Sequence, residues 1–136
     1  MNESKSKIDI SFRAFSANSC FEDVRTSVRC LPTKVFHSGE ERSRLKSGKI
    51  LHYKESGFFI VRIESIEEDI SLLIENMLDD IGLNIQTVAN LRSFGFRLDF
   101  FVGIFNAPTG WGFNLEEKII RKLSDINIPI SFSIYS

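Results

Sequence analysis

The chain has 136 residues, 43% of them apolar and 26% charged, with a formal net charge of −1 at pH 7. That length and balance describe one ordinary domain able to bury its own core. Near-neutral charge argues against a general nucleic-acid binder, which carries a basic excess, and no apolar run approaches the ~18 residues a membrane helix needs. The polar opening MNESKSKIDI lacks the apolar stretch of a secretory signal, so the expected compartment is the cytoplasm.

Ile8, Ile10, Phe12 and Ala14 alternate with Lys7, Asp9, Ser11 and Arg13, which spells a half-buried strand with one wet face. Ser19 and Glu22 have the spacing of a capping box. Phe21, Val24, Val28 and Leu31 follow at helical intervals until Pro32 stops the helix. Cys20 and Cys30 fall at the two ends of that predicted helix, about 15 Å apart at its rise per residue. A disulfide needs Cα atoms within about 7 Å, so two free thiols are expected. Zinc ligation would need further close donors, and His37 and His52 are not spaced to supply them. Neither a metal nor another cofactor is expected.

Residues 33–36 and 49–54 read as short strands around the polar excursion HSGEERSRLKSG. Gly57 opens a strand through Phe58, Phe59, Ile60, Val61, Arg62 and Ile63, apolar on both faces at its start and therefore interior to a sheet. Ser65 and Glu68 suggest a second capping box. Behind it, Ile66, Ile70, Leu73, Ile74, Met77, Leu78 and Ile81 make an amphipathic stripe closed by Gly82. Residues 84–91 are assigned to a strand. Phe94, Phe96, Leu98, Phe100, Val102 and Ile104 then fall on every second residue, which places a long strand over 94–105. NAPTGWG (106–112) is a Pro/Gly loop. Asn114 is the expected cap of a third helix, whose Glu116 and Glu117 suit its positive end and whose Arg121 and Lys122 suit its negative end. Ile128, Ile130, Phe132 and Ile134 alternate again in a last strand.

The order β-α-β-β-α-β-β-α-β is α+β: an antiparallel or mixed sheet of about five to seven strands with three helices mainly on one face, related to ferredoxin-like arrangements. Strands over 84–91 and 94–105 would be too closely joined for a parallel crossover, so a hairpin is expected there. A single domain spans 1–136. The final strand, with Pro129 near its start, suits a sheet edge, and pairing of such edges is a common route to a homodimer.

The sequence carries no triad, metal-binding or phosphate-loop signature. His37 and His52 sit in the polar middle region as solvated residues more readily than as general bases, and Gly110 and Gly112 flank Trp111 in a tight loop rather than a phosphate loop. Charge is segregated instead. Between Glu64 and Gly82 there are seven acidic residues and no Lys or Arg. From Leu31 to Lys54 six basic residues face only Glu40 and Glu41. The plain reading is a solvated helix face and a solvated loop; the functional one is that a patch steers an oppositely charged partner. Glu67, Glu68, Glu75 and Asp79 are the candidate partner-binding residues. Trp111 is a possible anchor that would equally serve by folding back over the core.

An alternating first strand leads to a segment ending Leu31-Pro32-Thr33. A basic, glycine-containing stretch (His37 to Lys49), an acidic helix (Ile66 to Ile81) and a closing helix follow, with Asn127-Ile128 and a last strand ending Ile134-Tyr135. In this order and wording nearly the whole chain resembles the bacterial DUF4279 family, a domain of unknown function. Phe58 and Phe59 stand where that family commonly has a tryptophan, and Ser133 where it commonly has an acid. The resemblance implies a domain without assigned catalytic residues. The expected function is therefore a non-enzymatic protein-binding module, specifically an immunity protein that neutralises a bacterial toxin by direct binding. A small-molecule or peptide-binding sensor domain is the alternative, and a hydrolytic enzyme comes third. The expected partner is a protein, not nucleic acid and not a membrane.

Overall fold

A computed structural model describes residues 6–136, so the first half of the polar opening lies outside the described residues. The chain folds as α+β, a five-stranded mixed sheet with three α-helices and a separate two-stranded hairpin. The sheet holds β1 (Lys7–Ser16), β2 (Lys34–Phe36), β5 (Ser56–Ser65), β6 (Arg97–Phe105) and β7 (Ile130–Tyr135) in the order β2-β5-β1-β6-β7. The hairpin is β3 (Glu41–Arg44) with β4 (Ile50–His52). β1 lies at the centre, antiparallel to both β5 and β6, with Phe12 opposite Ile60 on one side and Phe100 on the other. β7 runs parallel to β6 and forms an edge, as Pro129 beside its start requires.

The alternation of β1 decides the layering. Ile8, Ile10, Phe12 and Ala14 are buried, and the residues between them are half-buried. The buried set joins one core with Phe58 and Ile60 of β5 and with Leu98, Phe100, Val102 and Ile104 of β6. The helices close it. α1 (Ile70–Ile81) supplies Ile70, Ile74, Met77, Leu78 and Ile81, α2 (Ile85–Ser93) supplies Val88 and Leu91, and α3 (Glu117–Asp125) supplies Ile119 and Leu123. Burying these side chains at about 1.5–3 kcal/mol each is the main driving force for the fold.

Residues 84–91 are not a strand. Asn84 caps α2, its side-chain oxygen accepting from Thr87 N at 2.9 Å. Val88 and Leu91, three apart, turn to the core while Ile85 stays exposed. The expected hairpin with 94–105 is therefore absent, and β5 reaches β6 through α1 and α2, with β1 inserted between the two strands.

Three helix starts also differ from expectation. Two short 3-10 turns, Phe21–Asp23 and Arg25–Ser27, replace the helix expected after Ser19, and their cap is Cys20, whose N–H donates to Asp23 Oδ2 at 2.9 Å. α1 begins at Asp69, which accepts from Ser71 N at 2.9 Å, whereas Ser65 Oγ accepts from Glu67 N in a preceding turn. α3 begins after Glu116 rather than at Asn114. There the buried Ser71 hydroxyl accepts from Glu116 N at 2.8 Å and donates to the Asn114 carbonyl at 3.1 Å, tying the starts of α1 and α3 together. Gly82 ends α1 with φ +79°, as its position predicts. Among the described residues no helix is long and apolar enough to cross a membrane.

Candidate functional site: an aromatic and cationic cleft on the open sheet face

The second face of the sheet carries no helix among the described residues, and its side chains are not those of an ordinary wet face. Register places Phe15 of β1 opposite Gly57 and Arg97, Phe36 of β2 opposite Gly57, and Phe59 of β5 opposite Lys34 and Arg13. Because Gly57 has no side chain, Phe15, Phe36 and Phe59 close over it. Phe15 lies 5.9 Å from Phe36 and 5.6 Å from Phe59, and Phe36 lies 5.0 Å from Phe59, ring centre to ring centre. A Cβ at Gly57 would fall 2.0 Å from the Ala14 carbonyl oxygen and 2.8 Å from the Phe36 ring, so only glycine fits.

The β3–β4 hairpin folds over this cluster. Tyr53, just after β4, stacks on Phe36 at 4.2 Å with 20° between the rings. Backbone bonds between the two arms close the base of the hairpin and fix Tyr53 there: Gly39 N to Tyr53 O at 2.8 Å and Tyr53 N to Glu40 O at 2.9 Å. Between hairpin and sheet lies a cavity of about 630 Å³, floored by Phe15, Phe36 and Phe59 and edged by Arg13, Arg42 and Lys54. Its size is that of a site for a small ligand or a few side chains.

Charge on this face is distributed unevenly. Arg13 binds Asp99 through two bonds of 2.7 and 2.6 Å, and Arg97 binds Glu55 through two of 2.9 and 2.8 Å. These bonds raise the pKa of both guanidinium groups above the ordinary arginine value. Both also lie over the Phe15 ring at 5.7 Å, and Arg13 lies 4.9 Å from Phe101. The acids beside the cleft are thus already satisfied. Among the described residues Arg42 and Lys54 have no carboxylate partner, and Lys34 lies over the Tyr53 ring at 5.5 Å. What results is an aromatic floor with a surplus of positive charge at its mouth.

The residues singled out from sequence are elsewhere, and they do not form one patch. Glu75 is committed to α3, with Lys122 at 2.8 Å and Lys118 at 3.1 Å. Hydrogen bonds from Lys122 and then Lys118 hold its carboxyl below the ordinary glutamate range and raise Lys122. Asp80 is similarly taken by Arg62 at 2.6 Å. Glu67 and Glu68 are exposed in the turn before α1, and Asp79 is exposed near its end. Trp111 folds back onto the core edge, its Nε1–H donating to the Ile66 carbonyl at 3.1 Å.

The histidines also part company. His52 is exposed in β4 beside the cleft, whereas His37 follows β2 and meets Glu22 of the first 3-10 turn, Nε2 to Oε1 at 2.8 Å. Cys20 and Cys30 are both free.

No curated protein and no solved structure matches the chain. The family described as a domain of unknown function, DUF4279, matches residues 5–136. By that match, which spans nearly its whole length, the chain belongs to the DUF4279 family.

Proposed function

We propose that this chain is a non-enzymatic binding module that takes an acidic, aromatic-bearing peptide segment of a partner protein into the cleft on the open sheet face. The observation that carries the reading is the charge imbalance around that cleft. Asp99 and Glu55 are each held by an arginine, while Arg42 and Lys54 are left unpartnered among the described residues, beside a cluster of tilted phenylalanine rings. Carboxylates of a bound segment would complete those cations, and its apolar side chains would cover Phe15 and Phe59.

The test is a titration of the labelled protein with short peptides that alternate glutamate or lysine with phenylalanine, followed by amide chemical shifts. The glutamate peptide should perturb residues 13–15, 36, 51–55 and 59, weaken with salt, and lose binding in the Arg42→Glu, Lys54→Glu double variant. Shifts confined to the helical face, or preferred binding of the lysine peptide or of a single-stranded oligonucleotide, would overturn it.

A second reading keeps the toxin-neutralising immunity role. It is supported by Glu67 and Glu68, exposed in the turn before α1 and without an ion-pair partner among the described residues. A basic toxin surface would meet that turn rather than the cleft. Co-purification with the product of an adjacent gene, lost in the Glu67→Lys, Glu68→Lys double variant and kept in Arg42→Glu, Lys54→Glu, would favour this reading over the first.

A further inference from the structure

The first 3-10 turn and the end of β2 bring three different donor types to one point. Cys20 Sγ, a carboxylate oxygen of Glu22 and a ring nitrogen of His37 all lie within 4.8 Å of one another, although His37 is far from the others in sequence. We propose that Cys20, Glu22 and His37 form a zinc(II) site with three protein ligands and a water in the fourth position. The proposal is independent of the sheet-face reading.

The donor chemistry is the first argument. Thiolate, imidazole and carboxylate together suit zinc, which accepts all three in a tetrahedral arrangement. Tetrahedral bonds of ordinary zinc length would set these donor atoms roughly 3.3–3.6 Å apart. His37 Nε2 and Glu22 Oε1 stand at 2.8 Å and would part slightly to admit the ion, while the thiol would close in.

The supporting shell is the second argument. Glu40 Oε1 lies 3.3 Å from His37 Nδ1 and also accepts from the His37 backbone N–H at 2.5 Å. Once an ion takes Nε2 from Glu22, the Glu40 carboxylate is placed to hold the remaining ring proton on Nδ1, the usual second partner of a zinc-bound histidine. Asp23 acts on the cysteine through the backbone, and an ion would have to displace its contact with the protonated thiol. Its Oδ2 accepts from Cys20 N at 2.9 Å and lies 3.5 Å from Sγ, so the thiol is held at the turn rather than left to rotate. Access is open, because Glu22, His37 and Glu40 line a cavity of about 590 Å³. Zinc binding would displace to solvent both the thiol proton and the Nε2 proton that His37 holds against Glu22, exchanging the Glu22–His37 bond for two metal bonds with no change in oxidation state.

The test starts from protein stripped with a chelator and kept under a phosphine reductant. Zinc(II) is titrated against a chromophoric chelator, and cobalt(II) is used as a spectroscopic substitute. One ion per chain is expected, with a near-ultraviolet thiolate-to-cobalt charge-transfer band. Cys20→Ser and His37→Ala should each abolish both signals, and Cys30→Ser should leave them unchanged. Glu40→Gln, which touches no metal, should weaken zinc by about 10–100-fold. His37 is partly exposed, so its variant tests the site even if Cys20→Ser fails to fold. Failure of the parent protein to bind zinc, retention of binding in His37→Ala, loss in Cys30→Ser alone, or a cobalt spectrum without the thiolate band would each overturn the proposal.

Discussion

Phe36 and Tyr53 stack face to face, yet truncating them should have unequal consequences, and the difference measures how the hairpin is held. Phe36 is 1% exposed, enclosed by Tyr53, Phe15, Phe59 and the bare backbone of Gly57. Phe36→Ala removes that ring from a packed environment, which costs about 3–5 kcal/mol in general. β2 is a three-residue edge strand able to relax, so the lower end, about 3 kcal/mol, is expected here. Tyr53 is only half-buried and lies on the hairpin side of the stack. Tyr53→Ala forfeits part of its transfer energy and a stacking term of about 0.5–1.5 kcal/mol, for a total of about 1–2 kcal/mol. Urea unfolding, with the midpoints compared at constant slope, separates the two values. Hydrogen exchange adds a local readout: Tyr53→Ala should speed exchange at the hairpin amides while leaving β1 protected. A Phe36→Ala loss no larger than that of Tyr53→Ala would refute the claim that the open face carries a packed aromatic cluster.

Gly57→Ala forces a methyl to within 2.0 Å of a backbone oxygen that cannot swing away, so a loss of at least about 3 kcal/mol is expected in thermal or urea unfolding. Ser71→Ala leaves Glu116 N and the Asn114 carbonyl without their shared partner and should cost about 1–3 kcal/mol by the same assay. In metal-free protein His37 should titrate above its ordinary 6.5, chiefly because of the Glu22 bond, while that bond takes Glu22 down to about 2. The raised histidine adds stability below the unfolded-state value that fades as pH rises through its folded value. The depressed glutamate adds stability above pH 4.5 that fades as pH falls toward 2. The pair is therefore worth most between those limits. An imidazole NMR titration should show His37 dropping back in Glu22→Gln, and no change there would refute the pairing.

Much of the fold was legible because burial on one face writes a period into the chain. β1, β6 and β7 announced themselves by alternation, and α1 by its stripe and by Gly82. The error at 84–91 arose because IQTVANLR satisfies two periods at once. Ile85 and Thr87 mimic alternation, while Val88 and Leu91 mark a helix. Asn84 decided between them by capping, a local hydrogen bond that the apolar pattern does not record. The helix starts slipped for a related reason. Ser65 makes the bond a cap would make, to Glu67 N, but the chain turns once more before Asp69 begins the helix.

The site was harder to see, because its signal is the parity of aromatic residues rather than a motif. Phe15 falls in phase with Lys7, Asp9, Ser11 and Arg13, on the side of β1 that alternation assigns to solvent. Phe59 and Phe101 break phase in the same way within β5 and β6. Aromatics on the wet phase of three neighbouring strands imply a second cover for the sheet, and the long polar stretch left without an element was 37–48, between two short strands. Charge misled because like charges in sequence need not share a fate in space. Of the seven acids between Glu64 and Gly82, Glu75 and Asp80 are matched by cations of α3 and β5, and Asp69 serves as a cap. The basic segment is the opposite case. Its Arg42 and Lys54 line a cleft whose Glu55 is already bound to Arg97, so unmatched positive charge collects at the cleft while the unmatched acids stay scattered along the helix and the turn before it.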